Sequence, residues 1–558
     1  MSDGGETRSG VDRRHFLGGL GAFALAGAAG GEAAAATGPD AAAPAGAANP
    51  AGAAAGGDFE LAELTVAQLG AGLAEGRWTS ARLVELYLER IEAVDRGARG
   101  THAIAEPNPD AFREAERLDR ERKAGKLRSP LHGIPIVIKD NIDTGDGMKT
   151  TAGSLALLPS QPGRDAFLVE RLRAAGALLL GKTSLSEWAN FRSTRSTSGW
   201  SGRGGQVRNP YALDRNPCGS SSGSGVAPSA NLCAAAVGTE TDGSIVCPSS
   251  FNGVAGLKPT VGLVSRTGVI PISASQDTAG PMGRTVEDVA LLLGALTGTD
   301  VRDPATAASA GRAAQDYRAA LSENALRGAR LGVARNFFGW HPEVDRQMEG
   351  VLAALAALGA ELVDPVEIPH KGEYDDAEYE VLLYEFKHGL NAYLGGLPER
   401  GQPRTLAGLI EFNLAHAAEE MPWFAQEIFE KAEAKGSLTD EAYAKALDTC
   451  RRLARAEGLD AVLAGQRLDA LVCPSMGPAY LTDWVNGDHY GGSATTPAAV
   501  AGTPHLTVPA GLVQGLPWGL SFLGAAWSEA KLLGYGHAFE RATRARRPPG
   551  FLATLPLG

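Results

Sequence analysis

Short, continuously apolar runs recur along the chain and predict buried β-strands. They are found at 134–138, 177–180, 232–237, 331–334, 468–473 and 506–508. Between these runs, apolar residues at three- and four-residue spacing predict amphipathic helices, as at 284–297 and 529–541. This alternation of strand and helix patterns predicts an α/β protein with a central, largely buried sheet.

The segments outside these runs are predicted to be mostly helical cover. The folded part begins near Phe59, and Thr65 with Gln68 matches the capping box that opens a helix. A second helix is predicted from Thr79 or Ser80, and a charged helix over 110–126. Residues 370–465, rich in aromatic and charged side chains, are interpreted as a helical elaboration over the sheet that could serve as a substrate lid.

The N-terminal sequence is typical of an export signal. Arg13 and Arg14 precede an uncharged run at 17–31, and small residues suited to signal cleavage follow at 33–36. We interpret residues 1–36 as a twin-arginine signal peptide, recognised by the Tat export machinery and directing the protein to the periplasm or outside the cell. The uncharged run is too short and too rich in Gly and Ala for a stable membrane span. An Ala/Gly/Pro-rich linker is predicted over 37–58.

Composition and charge narrow the classes of partner and cofactor. The 558 residues are 44% hydrophobic, enough for a large core, and carry a net charge of −12. Nucleic acid is therefore not expected as the main partner, because phosphate binding needs a basic surface. The five cysteines form no C-x-x-C pair and are predicted to be buried free thiols. Histidines and cysteines lack ligand spacing, so no metal site is predicted.

The stretch 216–258 holds the residues that suggest chemistry. A Gly/Ser-rich loop at 218–225 and a polar turn at 238–244 flank an apolar run. Two serine clusters around a buried strand could place two hydroxyl groups side by side, which suits acyl transfer without a histidine. Upstream, Lys139 ends the predicted strand 134–138. It must extend to solvent, pair with Asp140, or lie uncharged in a site.

The Gly/Ser loop and the polar turn fit other common patterns less well. A flexible linker is rarely followed by a buried strand, and no Gly-Lys-Ser/Thr closes the loop as phosphate binding would require. The turn around Ser244 lacks the G-x-S-x-G elbow of α/β-hydrolases. Ser528 and Lys531 match S-x-x-K, but Ser528 is interpreted as a helix N-cap. Taken alone, the turn at 238–244 could simply connect two elements.

Four strings in order resemble the amidase signature family. They are GIPIVIKDN at 133–141, NPCGSSSGSG at 216–225, GTETDGSI at 238–245 and GLKPTVGLVS at 256–265. The resemblance covers about residues 60–545, and segments 200–206, 238–248 and 270–282 are most similar to bacterial peptide amidases. It implies the amidase signature fold, an α/β fold with a central mixed sheet covered by helices on both faces. The amidase domain would span 59–545, with a C-terminal tail at 546–558.

The family resemblance also implies a Ser-Ser-Lys triad. Carried onto this chain, Ser244 is the nucleophile, Ser220 the bridging serine and Lys139 the base. The resemblance further implies a cis peptide between Gly219 and Ser220. A lysine acts as a base only when uncharged, so its pKa of about 10.4 must fall by roughly 2–3 units for work near pH 8. Burial at the end of an apolar strand would lower the pKa in this way.

The turn before the nucleophile is predicted to stabilise the oxyanion. Backbone N–H groups of Thr241, Asp242 and Gly243 could point at the developing charge, and Gly243 allows close approach. Ser221 is predicted to join the proton chain. Many family members have glycine at the position of Asp242 and arginine at that of Val246, which puts any contact of that arginine in doubt here. The peptide amidase branch shares the form found in this chain.

The sequence therefore predicts hydrolysis of a carboxamide to a carboxylate and ammonia through an acyl-serine intermediate. By resemblance, the substrate is the C-terminal amide of a peptide, and the alternative is a broad-specificity amidase acting on small aryl or aliphatic amides. An amidotransferase subunit acting on charged tRNA is disfavoured by the export signal and the acidic charge. A binding protein without catalysis is the alternative of another class. The mechanism requires no cofactor, and Asn190 with the helical elaboration could line the pocket.

Overall fold

The computed structural model describes residues 59–314 and 316–556. The predicted signal peptide at 1–36 and linker at 37–58 lie outside the described residues, so both remain predictions. In the described part of the chain, no helix combines the length and apolar character needed to cross a membrane.

An eleven-stranded mixed sheet forms the centre of the molecule, in the order β1-β3-β2-β6-β8-β7-β12-β13-β11-β9-β10. Parallel pairing joins β2 to β3 and β6, and β9 to β10 and β11. The other neighbouring pairs are antiparallel. The strands are β1 Ile104–Pro107, β2 Pro135–Lys139, β3 Leu178–Thr183, β6 Ala235–Glu240, β7 Ala255–Lys258, β8 Thr278–Gly283, β9 Arg330–Ala334, β10 Glu361–Val366, β11 Ala470–Pro474, β12 His505–Val513 and β13 Leu516–Leu523.

A separate two-stranded ribbon, β4 Trp200–Ser201 and β5 Gly205–Gln206, lies outside the main sheet. Each of the six apolar runs overlaps a strand of the main sheet, so these strand predictions are confirmed. The α/β fold with helices covering a mixed sheet is confirmed as well.

Helices cover both faces of the sheet. They are α1 Val66–Ala74, α2 Ser80–Val94, α3 Ala111–Lys123, α4 Phe167–Ala174, α5 Ser222–Ser229, α6 Val246–Phe251, α7 Val286–Leu296, α8 Pro342–Ala357, α9 Asp375–Gly396, α10 Leu406–Ala415, α11 Ala417–Glu420, α12 Glu427–Glu433, α13 Glu441–Cys450, α14 Asp460–Gly465, α15 Thr496–Ala501 and α16 Glu529–Thr543. A π-helix spans Arg451–Leu459, and short 3₁₀ turns lie at Leu155–Leu157, Glu187–Asn190, Pro304–Ser309, Tyr317–Ala320 and Arg335–Phe337.

Local signals at the helix starts behave as the sequence indicates, with one exception. The capping box of α1 is present, because Gln68 N–H donates to Thr65 Oγ1 at 3.2 Å and Thr65 N–H donates to Gln68 Oε1 at 2.9 Å. Helix α2 has Thr79 as its N-cap. Ser528 occupies the N-cap position of α16, but its side chain makes no capping hydrogen bond.

Residues 370–465 are mostly helical, as predicted, and we call this region the helical insert. Its helices α9, α10 and α12 pack their apolar side chains, including Leu390 and Phe429, with Trp188 and Phe191 in one buried cluster. The insert therefore shares a core with the segment that follows β3. This contact places the helical insert next to the candidate active site described below.

The described part of the predicted C-terminal tail packs against the domain. Arg546 forms a salt bridge to Glu63 at 2.9 Å and donates to the Gly253 carbonyl at 2.6 Å. Farther along, Phe551 N–H donates to the Pro210 carbonyl at 2.8 Å. The five cysteines all lie in the described residues, where each is free and buried, as predicted.

Candidate active site

Lys139 is fully buried at the end of β2, which lies between β3 and β6 in the sheet. Its Nζ atom lies 2.8 Å from Ser220 Oγ and 2.9 Å from Thr239 Oγ1, within hydrogen-bond distance of both. It also contacts the Thr239 carbonyl at 3.3 Å. The ammonium or amine is thus held by polar groups of the Gly/Ser loop and of β6.

Lys139 neither extends to solvent nor pairs with Asp140. Its side chain is buried, so it does not extend to solvent. The Asp140 carboxylate is bound by Arg203 Nη1 at 2.7 Å and by Thr151 Oγ1 at 2.5 Å. Lys139 therefore has no ion pair with its sequence neighbour and lies among hydroxyl groups.

Burial lowers the pKa of Lys139 to about 7. The negative charges of Asp277 and Glu240 act in the opposite direction, but desolvation is the larger effect. Burial also raises the pKa of both carboxyls, to about 6 for Asp277. At mildly alkaline pH the Lys139 amine is therefore largely uncharged, the form that can accept a proton.

The Gly/Ser loop places Ser220 against Lys139. The Gly219–Ser220 peptide is cis, as the family resemblance implied. A Cβ atom on Gly219 would lie 2.2 Å from Ser186 Oγ, so a larger residue there would displace the Ser186 hydroxyl. Ser220 itself is fully buried, and its carbonyl accepts a hydrogen bond from Ser186 N–H at 3.0 Å. The loop continues directly into helix α5.

Ser244 lies at the turn between β6 and α6. It is 8% exposed, whereas Ser220 and Lys139 are fully buried, and it lines the adjacent cavity. Gly243 has a φ of +76°, and a Cβ there would lie 2.8 Å from Cys247 Sγ. The Ser244 carbonyl accepts a hydrogen bond from Ser221 N–H at 3.2 Å, which joins the turn to the Gly/Ser loop.

The other predicted site residues surround this turn with different partners. Thr241 Oγ1 donates to Asp277 Oδ1 at 2.6 Å, and Asp242 Oδ2 accepts from Thr496 Oγ1 at 2.7 Å. Ser221 Oγ donates to the Thr239 carbonyl at 2.9 Å. The Ser221 hydroxyl thus ties the loop to β6, and among the described residues no hydrogen bond joins it to Ser220 or Ser244.

Glu240 fixes the turn from inside. Its Oε2 atom accepts hydrogen bonds from the backbone N–H groups of Ile245 at 2.7 Å and Val246 at 3.0 Å. The carboxyl at the end of β6 therefore ties down the first residues after Ser244. These hydrogen bonds fix Ile245 and Val246 at the start of α6. Ser244, which directly precedes them, lies on the wall of the cavity.

The cavity next to Ser244 combines apolar and polar side chains from several elements. Asn190, which sequence reasoning considered, lines it, and Leu382 of α9 shows that the helical insert contributes to its wall. The lining residues are Ala189, Asn190, Phe191, Gly219, Thr241, Asp242, Ser244, Cys247, Ile272, Leu382, Met476, Tyr490, Ser493 and Thr495. Among residues 59–314 and 316–556, no cluster of three or more His, Cys, Asp or Glu side chains is arranged to hold a metal ion.

Comparison with known proteins adds to this geometry. The family model described as Amidase matches residues 82–533, which is most of the chain. The chain belongs to the amidase family. It is a hydrolase acting on amide C–N bonds.

Solved structures similar to this amidase include two of peptide amidase. The native peptide amidase from Stenotrophomonas maltophilia is 52% identical with a TM-score of 0.84, and the match covers 88% of this chain and 100% of that one. A peptide amidase in complex with the competitive inhibitor chymostatin is 53% identical with a TM-score of 0.85, over the same shares of the two chains. A probable amidase of Arabidopsis thaliana is 42% identical over 89% of this chain and 93% of its own length.

Two polar residues of the amidase site were missed by sequence reasoning. Thr239 Oγ1 contacts Lys139 Nζ, and it also accepts a hydrogen bond from Asn141 Nδ2 at 3.0 Å. Both residues belong to strings that carry the family resemblance, so the signal was available. The sequence does not show that β2 pairs with β6, and this pairing brings Thr239 together with Lys139 and Asn141.

A buried charge cluster supports the wall of the pocket near Asn190. Arg192, fully buried, lies 2.7 Å from Glu187 Oε1 and 3.8 Å from Glu420 Oε2. Glu420, at the end of α11, also accepts hydrogen bonds from Ser154 Oγ at 2.9 Å and Leu155 N–H at 2.6 Å. The insert is thereby attached to two segments of the central domain.

Proposed function

We propose that this amidase hydrolyses the C-terminal amide of peptides to a carboxylate and ammonia, with Ser244, Ser220 and Lys139 as its catalytic triad. The observation that carries the proposal is the 2.8 Å contact between Lys139 Nζ and Ser220 Oγ in a buried site beside a pocket lined by Ser244. The choice of peptide amides is supported by the similarity to peptide amidases over the whole length of those proteins.

In the proposed acylation step, Ser244 Oγ attacks the amide carbonyl carbon. The Ser244 proton passes to Ser220 Oγ as the Ser220 proton passes to the uncharged amine of Lys139, and the carbonyl oxygen becomes an oxyanion. When the tetrahedral intermediate collapses, the C–N bond breaks and a proton returns through Ser220 to the departing nitrogen. Ammonia leaves, and an ester to Ser244 remains.

Deacylation uses the same groups with water in place of Ser244. A water molecule attacks the ester carbonyl while its proton passes through Ser220 to Lys139. Collapse of the second intermediate returns that proton to Ser244 Oγ and releases the carboxylic acid. Each turnover therefore consumes one amide and one water, and it restores the uncharged lysine.

The oxyanion is proposed to form at the turn of Thr241, Asp242 and Gly243. Backbone N–H groups preorganised at such a turn stabilise developing negative charge more strongly in a buried site than in water. The positive φ of Gly243, which lacks a side chain, allows the backbone to pass close to the carbonyl carbon of the substrate. Glu240 holds the following residues through its hydrogen bonds to Ile245 and Val246.

Ammonia release tests the substrate class. Peptide amides, free amino acid amides and anilides are compared at equal concentration, and we expect the highest kcat/KM for peptide amides, with internal peptide bonds intact by mass spectrometry. Ser244→Ala should abolish release and labelling by a serine-directed reagent, whereas Ser528→Ala, which alters a half-buried serine at the start of α16, should retain both. Labelling that persists in Ser244→Ala would assign the nucleophile elsewhere.

A broad-specificity amidase acting on small aryl or aliphatic amides is the second candidate. The apolar side chains of Phe191, Ile272, Leu382 and Met476 in the pocket lining favour it, since they would suit a compact apolar acyl group. The same screen separates the candidates. Anilides or aliphatic amides that outperform every peptide amide would support the broad-specificity enzyme.

We also propose that residues 1–36 direct export by the twin-arginine route. The supporting feature is the pair Arg13 and Arg14 before the uncharged run. Replacing both arginines with lysine should leave the protein in the cytoplasm of a bacterial host, as fractionation would show. Unchanged export of the double variant would contradict the proposal.

A further inference from the structure

Thr239 supplies two of the three oxygen atoms that surround the amine of Lys139. Its hydroxyl Oγ1 lies 2.9 Å from Lys139 Nζ and its carbonyl oxygen lies 3.3 Å away. Ser220 Oγ, at 2.8 Å, is the third neighbour. Lys139 is fully buried and Thr239 is 7% exposed, so the protein itself must satisfy the hydrogen-bonding groups of the amine.

The neighbours of Thr239 hold both of these oxygen atoms in place. Asn141 Nδ2 donates to Thr239 Oγ1 at 3.0 Å. On the backbone, Ser221 Oγ donates to the Thr239 carbonyl at 2.9 Å, and Thr239 N–H lies 3.2 Å from the same hydroxyl oxygen. Hydroxyl and carbonyl oxygens each have two lone pairs, so both oxygens of Thr239 retain one for Lys139.

The charged groups around Lys139 are bound to other partners. Asp277 and Glu240 influence Lys139 by their charge, but among the described residues neither forms an ion pair with it. Asp277 accepts from a threonine hydroxyl, and Glu240 accepts from backbone N–H groups. Asp140, which follows Lys139, and Lys182, on neighbouring β3, are also bound elsewhere. A charge on Lys139 is therefore stabilised in direct contact by uncharged oxygen atoms.

The three oxygen atoms match the hydrogen-bonding groups of Lys139 in both of its protonation states. The uncharged amine has two N–H groups and one lone pair. When the hydroxyl and the carbonyl of Thr239 accept the two N–H groups, the lone pair is left for the O–H of Ser220. After this proton has moved, the ammonium has three N–H groups, one for each oxygen atom.

We propose that Thr239 orients the amine of Lys139 toward Ser220 and stabilises the ammonium that forms when Lys139 takes the proton. The inference rests on the proposed function, because it assigns Thr239 to the proton path between Ser244 and Lys139. In that step the Ser220 O–H bond breaks and an N–H bond forms, while Ser220 Oγ receives the proton of Ser244. A hydrogen bond to a charged group is stronger than one between neutral groups, so Thr239 favours the transfer.

Two substitutions separate the hydroxyl of Thr239 from its methyl group. Thr239→Val removes the hydroxyl at nearly constant volume, and kcat on a peptide amide should fall at least about tenfold with little change in KM. The acidic limb of kcat/KM should move to lower pH by about one unit, because the ammonium loses a hydrogen bond while the amine becomes easier to deprotonate. Thr239→Ser keeps the hydroxyl and should stay within about threefold of the wild-type kcat.

Thr507→Val is the matched control for the loss of a buried threonine hydroxyl. Thr507 is fully buried in β12, and its Oγ1 atom lies 2.7 Å from Ser475 Oγ. This variant removes the same group from another strand of the same sheet. Its kcat per folded molecule and the position of its acidic limb should match the wild-type values.

NMR titration of isotope-labelled lysine side chains gives a readout that does not need activity. The Lys139 signal is identified by its absence in Lys139→Met. Its titration midpoint should be lower in Thr239→Val than in the wild type, Thr239→Ser or Thr507→Val. A merely structural role of the Thr239 hydroxyl would lower stability without moving this midpoint.

A midpoint that is unchanged or raised in Thr239→Val, or an equal loss of kcat in Thr239→Val and Thr239→Ser, would overturn the inference and leave the amidase proposal intact. Failure of the wild-type protein to release ammonia from any amide would instead refute the proposed function. The NMR titration would still test the contact in that case. If Thr239→Val does not fold, Thr239→Ala against Thr239→Ser decides by the same two readouts.

Discussion

Lys139 shows how a residue acquires its chemistry from its surroundings. Its sequence context, the end of an apolar run, indicates burial, and the structure places it fully inside with Ser220 and Thr239 as polar neighbours. The pKa of about 7 follows from desolvation that exceeds the attraction of Asp277 and Glu240. A surface lysine with the same neighbours would remain charged and could not act as a base at pH 8.

Lys139→Met should lower kcat by about 10²–10⁴-fold, because the proposed general base is removed while the apolar volume is kept. Ammonia release from a peptide amide measures the effect. Lys182→Met is the matched control: Lys182 is also fully buried, in neighbouring β3, but its Nζ donates to the Ile142 and Lys149 carbonyls and to Thr150. Its rate per folded molecule should be preserved. A mild effect of Lys139→Met would make Lys139 a structural residue.

The pH profile should follow the Lys139 amine. Below its pKa of about 7 the amine is protonated, so kcat/KM should fall about tenfold for each pH unit and level off above pH 8. Stability has the matching sign. The folded pKa lies below the unfolded value of about 10.4, so burial of Lys139 penalises folding most below pH 7 and the penalty is relieved as pH rises.

The advantage of Lys139→Met in unfolding free energy should therefore shrink by up to about 1.4 kcal/mol for each pH unit between 7 and 9. Chemical denaturation at both pH values measures this change. A kcat/KM that is constant from pH 5 to pH 8 would contradict the proposed role, even if the stability difference varies as expected.

At the residue scale, the sequence was sufficient to select Lys139, Ser220 and Ser244 but not their complete surroundings. The structure brings Lys139 and Ser220 into contact and places Ser244 on the pocket wall, while their catalytic roles remain predictions. Thr239 could not be linked to Lys139, because that contact depends on which strand lies beside β2. A prediction from local patterns contains no information on strand order.

At the scale of elements, the apolar runs predicted strands of typical composition but missed strands of unusual composition. Strand β8, with the sequence TAGPMG, contains two glycines and a proline and has low β propensity. It is nevertheless fully buried and pairs along its whole length with β6. Tertiary packing between β6 and β7 decides its conformation, which periodicity alone could not show.

A second feature at this scale is the buried charge cluster around Arg192, which attaches the helical insert to the central domain. Arg192→Met would leave the buried carboxyls of Glu187 and Glu420 without their cation, and we expect a loss of about 3–5 kcal/mol in unfolding free energy. Chemical denaturation measures it. Because burial already raises the pKa of Glu187 well above its usual value, adding Glu187→Gln should restore part of the loss.

Arg346→Met, which removes an exposed salt bridge to Glu343 within one helix, is the control for the insert experiment. Surface pairs of this kind contribute about 0–1 kcal/mol, so its stability should be close to wild type. If Arg192→Met and Arg346→Met are equally stable, the buried cluster does not hold the insert.

At the scale of the whole molecule, the boundary of the domain can be tested at its C-terminus. A chain that ends at 545 lacks Arg546, whose guanidinium contacts Glu63 and the Gly253 carbonyl, and also lacks the contact of Phe551 with Pro210. We expect its Tm to fall by several degrees, because the half-buried carboxylate of Glu63 loses its partner. A chain that ends at 556 should match the full-length protein. Equal Tm values for both would place the functional boundary at 545.

The order of the strands has a consequence for biosynthesis. Strand β7, which follows the nucleophile turn and α6, pairs with β12 near the end of the chain, with His505 opposite Lys258. Until the ribosome has produced β12, the edge of β7 that pairs with it has no partner strand. Contacts between residues so distant in sequence also form slowly. A nascent chain released before residue 505 should therefore have no amidase activity, although it already contains Lys139, Ser220 and Ser244.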